Sequence, residues 1–113
     1  MHKVDFYEEN GIFVIKPTGE MIFFFLEEVS KFLKNKIDEN FYKFVFELEQ
    51  VPWIDSIGLG LFAIAIKSAI ANRTKICVVG PKESITQLFK MSNLLDHIKI
   101  CETREEAIEF FSH

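Results

Sequence analysis

The sequence predicts an α/β domain: a mixed β-sheet that opens with a hairpin and carries about four helices, in the order β-β-α-β-α-β-α-β-α. Three observations lead there. Asn10-Gly11, the pair favoured in the tightest hairpin turns, separates two strand-like segments at 3–8 and 12–16. Apolar residues recur at helical spacing over 21–39. Beyond that point, short apolar runs at 41–48 and 74–79 alternate with helical segments, as strands do when helices connect them. With 113 residues the chain can build one core, so residues 1–113 are read as one domain.

Pro17-Thr18-Gly19-Glu20 closes the second strand. The first helix is amphipathic, with Ile22, Phe25, Leu26, Val29, Phe32, Leu33 and Ile37 on one stripe. Glu27 and Glu28 lie early and Lys34 and Lys36 late, in the sense that favours the helix dipole. Phe23 and Phe24 fall off the stripe, which fits either a helix start tucked against the core or an aromatic patch for a partner. The second helix, ending near Asn72, is apolar almost all round. Either neighbouring elements flank it or part of it meets another protein. A short strand at 74–79 shows no alternation, as expected for burial on both faces.

Gly80-Pro81 turns the chain into a third helix over 82–92, with Ile85, Leu88, Phe89 and Ser92 on one side and Asn93 as its stop. Residues 98–100 read as an edge strand flanked by charge. Thr103-Arg104-Glu105-Glu106 is a capping box for a last helix docking through Ala107, Ile108 and Phe111.

Composition narrows the function. The net charge of −4 and the lack of a basic block argue against nucleic acid as a partner. No apolar run approaches the ~20 residues that span a bilayer, and the first residues do not form a signal peptide, so a cytoplasmic protein without membrane insertion is expected. Cys77 and Cys101 sit in apolar strand-like segments and are expected as free buried thiols; His2, His97 and His113 are scattered. Neither metal nor cofactor is expected.

The chemistry concentrates at Asp55-Ser56-Ile57-Gly58-Leu59-Gly60, between the strand ending at Leu48 and the second helix. The first turn of a helix has N–H groups without intrahelical acceptors and a positive potential. Asp and Ser cap such an end well. A phosphate on Ser56 would suit it too, while the charge of Asp55 beside it would make the change in surface sharp. These residues also suffice as a plain helix cap. A serine nucleophile would need Gly-x-Ser-x-Gly, and Ile54 stands in the first glycine's place; catalysis is not expected.

The same hexapeptide resembles the Asp-Ser-(Ser/Thr)-Gly-Leu-Gly signature of the STAS-domain anti-sigma factor antagonists. Leu88-Phe89-Lys90-Met91-Ser92-Asn93-Leu94 is similar to that family's Leu-Phe-x-Met-Ser-x-Leu, and Thr18-Gly19-Glu20 to the Thr-Gly-Glu that ends its second strand. Two positions depart. Ile57 stands where the family carries a second hydroxyl, and Ile22 where it often carries an aspartate.

The resemblance implies a partner switch. The unphosphorylated antagonist binds an anti-sigma factor that is also a serine kinase and so frees a sigma factor; phosphorylation of the serine after the aspartate, here Ser56, ends binding, and a phosphatase resets it. Asp55 would position the turn and add repulsion. Gly58 and Gly60 would keep side chains clear of the partner's active site. Ile22, Phe23, Phe24, Leu59, Phe62 and Ile66 are the candidate partner surface, which could also support a homodimer. The alternative is a STAS interaction subunit that does not switch, as a scaffold in a sensory complex or a small subunit of a lipid-transport assembly.

Overall fold

The computed structural model describes residues 2–112, apart from the side chains of residues 23–25. Five strands form one sheet in the spatial order β1-β2-β3-β4-β5, with four α-helices and one 3-10 turn among the described residues. β1 (Lys3–Glu9) pairs antiparallel with β2 (Ile12–Thr18). The turn between them places both Asn10 (φ 53°) and Gly11 (φ 80°) in the left-handed region, as a two-residue hairpin of this hand requires. β3 (Lys43–Glu47), β4 (Ile76–Val79) and β5 (Ile98–Cys101) then add in parallel. The expected mixed sheet and element order are present.

The helices divide unequally between the two faces. Alternate residues of β2 point to opposite sides, so Phe13 and Ile15 join one core and Ile12 and Val14 the other. The larger core receives Leu26, Val29 and Leu33 from α1 (Phe23–Asp38), Leu61, Phe62, Ala65, Ile66 and Ala69 from α2 (Ser56–Ala71), and Ile85 and Phe89 from α3 (Glu83–Met91). The smaller core is covered by α4 (Arg104–Phe111) through Ala107 and Phe111. Aromatic contacts tie the larger core together. Phe62 lies 4.7 Å from Phe46 and 5.1 Å from Phe89 between ring centroids, and Phe32 stacks on Phe6 at 3.7 Å.

Local signals in the sequence hold at the helix ends. Thr103 Oγ1 accepts a hydrogen bond from the Glu106 N–H at 3.1 Å. The reciprocal arm differs: Glu106 Oε1 accepts from the N–H of Glu102, one residue earlier than a strict capping box would have it. Asn93 leaves α3 with φ 60°, and a 3-10 turn (Leu95–His97) that the sequence did not reveal leads into β5. α1 starts two residues later than expected, because Met21 pairs as an isolated parallel bridge with Ile54.

One feature of the smaller core was not foreseen. Glu47, only 4% exposed at the end of β3, is gripped by both Arg104 Nε (2.5 Å) and Arg104 Nη2 (2.7 Å) from the start of α4. The guanidinium also lies 4.4 Å from the Tyr7 ring centroid. The Glu47 hydrogen bonds push the Arg104 guanidinium further toward its charged form. A buried carboxylate is tolerable only when paired in this way. Cys77 and Cys101 are free and buried in the same core. Burial, followed by the proximity of Cys101, pushes the Cys77 thiol well above its ordinary range; burial is also the largest cause of the upward shift at Cys101.

Candidate functional site

β3 is parallel to both neighbours, so the connection leaving its C-terminal end emerges on the edge of the sheet where α/β folds build their sites. Residues 48–55 make that connection and lie beside the segment joining β2 to α1. The Gly19 N–H donates to Gln50 O at 2.9 Å and the Met21 N–H to Trp53 O at 3.1 Å, while the Asp55 N–H donates to Met21 O at 3.2 Å. Two loops far apart in sequence are thereby fastened into one platform at the start of α2.

Asp55 is the N-cap of α2, extended at φ −87° and ψ −178°, and its Oδ1 accepts from the Gly58 N–H at 2.8 Å. Ser56 is therefore the first helical residue, and it is exposed. With the Gly58 N–H taken by Asp55, the N–H groups of Ser56 and Ile57 are first-turn donors with no acceptor inside the helix. An anion carried by the Ser56 side chain would enter a favourable potential on one side and meet the Asp55 carboxylate on the other.

Around this point the predicted residues separate into three groups. Ile57 is 50% exposed and Gly60 is exposed, while Asp55 and Leu59 are half-buried, so these four remain with Ser56 at the surface of the platform. Ile22 is half-buried at the N-cap of α1. The aromatic patch expected at Phe23 and Phe24 falls on side chains outside those described. Phe62 (0% exposed) and Ile66 (4%) correct the sequence reading: both are core residues, and neither can present a surface to a partner. The reason is that α2 turns this side toward the sheet, where Phe62 is enclosed by Phe46 and Phe89.

Gly58 requires a second correction. It is buried, and a Cβ there would stand 2.6 Å from Ile54 Cγ2, 2.7 Å from the Met21 carbonyl oxygen and 3.1 Å from Leu26 Cδ1. Its bare backbone lets the first turn of α2 press against the Met21 loop. It is needed for internal packing, rather than for a partner's approach. At Gly60, by contrast, a Cβ would meet nothing within 4 Å, so that position is open to an approaching surface.

Sequence reasoning assigned no role to Trp53, which is 50% exposed two residues before the cap. A large aromatic in the loop that leads to the helix cap was the available signal, since such side chains often anchor interfaces. Trp53, Ser56, Ile57 and Gly60 together offer a partly apolar surface with one hydroxyl in it.

Comparison with known proteins bears on this arrangement. The family model described as the STAS domain matches residues 3–107. An anti-sigma-B factor antagonist of Staphylococcus epidermidis is 30% identical over 101 residues, covering 89% of this chain and 88% of that protein. Among solved structures, the anti-sigma factor antagonist SpoIIAA in its unphosphorylated form superposes with a TM-score of 0.84 at 20% identity, covering 97% of this chain and 96% of its own. The Bacillus cell fate determinant SpoIIAA in its phosphorylated form superposes with a TM-score of 0.76 at 20% identity, over 96% of this chain and 97% of its own.

Proposed function

The chain belongs to the STAS-domain family, and from that premise we propose that it is an anti-sigma factor antagonist that binds its partner with Ser56 unmodified and releases it when Ser56 is phosphorylated. The observation that carries this reading is the position of Ser56, exposed as the first residue of α2 directly after the capping Asp55. The protein acts by binding and not by catalysis. Its partner is an anti-sigma factor with serine kinase activity, a phosphatase restores the free hydroxyl, and the exchange takes place in the cytoplasm. No helix among the described residues is long and apolar enough to cross a membrane. Residues 1–113 act as one domain.

The chemistry of release follows from the surface. Trp53 and Ile57, both 50% exposed, stand three residues before and one residue after Ser56 and offer apolar area that binding would bury. A phosphate adds a charge of about −1.5 to −2 at this point. Burying that charge without a matched cation costs several kcal/mol, and the Asp55 carboxylate opposes it further. A loss of ~3 kcal/mol lowers affinity by more than a hundredfold.

The test uses three baits, wild type, Ser56→Ala and Ser56→Asp, presented to extract of the native cells. The expected partner is retained by the first two and lost from the third, and with ATP it phosphorylates wild type but not Ser56→Ala. Equal retention on all three would favour the second reading, an interaction subunit that does not switch. The exposed apolar Ile57, next to the proposed phospho-acceptor, is the observation in favour of that alternative.

A further inference from the structure

A groove of about 420 Å³ runs between α1 and α2. Ile57 and Ile64 give it an accessible apolar wall above a floor of the buried Leu26 and Leu61, and Lys31 and Lys34 stand on its α1 side. Glu27 also faces it, but its carboxylate is 3.8 Å from Lys31 Nζ, so these two charges offset and Lys34 leaves the rim net positive. We propose that this groove is a binding site for a small amphiphile with an aliphatic chain and a single anionic head, of the medium-chain carboxylate class.

Size, lining and charge each select that occupant. A site of a few hundred Å³, mostly apolar with a few polar groups at one side and lying between helices, is the usual form of a small-molecule pocket. Since a 150 Å³ apolar cavity holds a benzene ring, this groove has room for on the order of fifteen non-hydrogen atoms. A peptide helix is about 10–12 Å across, so little more than one turn would fit. The aliphatic lining takes a chain, and the net positive rim takes its carboxylate. A neutral or cationic head would find no such complement.

The site is independent of any modification of Ser56. It would still influence the neighbouring surface, because Ile57 lines the groove and is also part of the exposed platform beside Ser56. A bound chain would add apolar area or a new contour where a partner meets α2, giving the protein a metabolite input alongside a covalent one.

The experiment titrates decanoate, below its micelle concentration, into the 15N-labelled full chain, with decanol as the uncharged control. Amide shifts are expected at Leu26, Lys34, Gly60, Leu61 and Ile64, with a dissociation constant of about 0.1–1 mM for a ligand of this size. Decanol should bind about three- to fivefold more weakly, the effect of an exposed charge pair. Gly60→Leu, placed where a Cβ has open space, should fill the groove and abolish the shifts in a folded protein. The double variant Lys31→Gln, Lys34→Gln should weaken decanoate but leave decanol unchanged. No shifts up to several millimolar, shifts spread over β1 and α4, equal binding of decanol, or undiminished binding to Gly60→Leu would each overturn the proposal. So would a groove that rejects decanoate yet is covered by a protein partner.

Discussion

Replacing Gly58 with alanine tests how the site is held together. In a helix the exchange alone gains about 1 kcal/mol, because alanine is the better helix former. Here the new methyl would lie 2.6 Å from Ile54 Cγ2 and 2.7 Å from the Met21 carbonyl oxygen. The first contact is with a β-branched side chain that is itself 7% exposed, and the second is with backbone, so neither neighbour can swing aside. Overpacking of this kind costs about 1–3 kcal/mol. If the loops part, the hydrogen bond from Asp55 N to Met21 O goes too, at about 0.5–1.5 kcal/mol, and the cap from Asp55 to Gly58 N weakens. The net destabilisation is about 0.5–3.5 kcal/mol. Urea unfolding followed by circular dichroism reads this directly. Gly60→Ala, in the same helix with open space around it, is the control and should be neutral or gain up to about 1 kcal/mol. If Gly58→Ala is as stable as Gly60→Ala, the close approach of α2 to the Met21 loop is not what the glycine serves, and the reasoning fails.

Other perturbations probe separate contacts. Asp55→Ala removes the side-chain cap and should cost about 1 kcal/mol in urea unfolding, with Asp55→Asn nearly neutral because it keeps an acceptor oxygen. Arg104→Met strands the buried Glu47 carboxylate and should lower stability by about 3–5 kcal/mol, most of it recovered by adding Glu47→Gln. Phe62→Ala should reduce stability by about 3–5 kcal/mol, seen as early thermal unfolding, because Phe62 belongs to the core and not to a docking surface. Because burial raises the Cys77 thiol, the native state holds that proton to a higher pH than the unfolded chain does. Stability from this group is complete below the unfolded thiol's range, near pH 8.5, and declines as pH rises above it. Cys77→Ala should flatten that alkaline decline, as measured by urea midpoints between pH 7 and 10.

What could be read from the sequence was mostly local. Asn10-Gly11 defines its hairpin because the turn depends on the backbone freedom of two adjacent residues. Asp55 and Thr103 announce helix starts because each bonds an N–H three residues on. The face of α1 was legible because polar residues mark its other side. α2 has no such contrast. Ile57, Leu61, Phe62, Ile66 and Ile70 are all apolar, yet Ile57 and Ile70 are about half exposed and the other three are buried. Which side turned inward was decided by Phe46 and Phe89, distant in sequence, and helical spacing holds no trace of that choice. The roles of Gly58 and Glu47 were hidden for the same reason. One depends on the Met21 loop and the other on Arg104, 57 residues away.

Ser56 is the residue proposed to change state. The direct measurement is the intact mass of the protein isolated from its native cells, followed by peptide mapping. A population heavier by one phosphate is expected, carried on the peptide that contains Ser56 and removed by phosphatase treatment. A protein whose Ser56 is unmodified in every growth condition would contradict it.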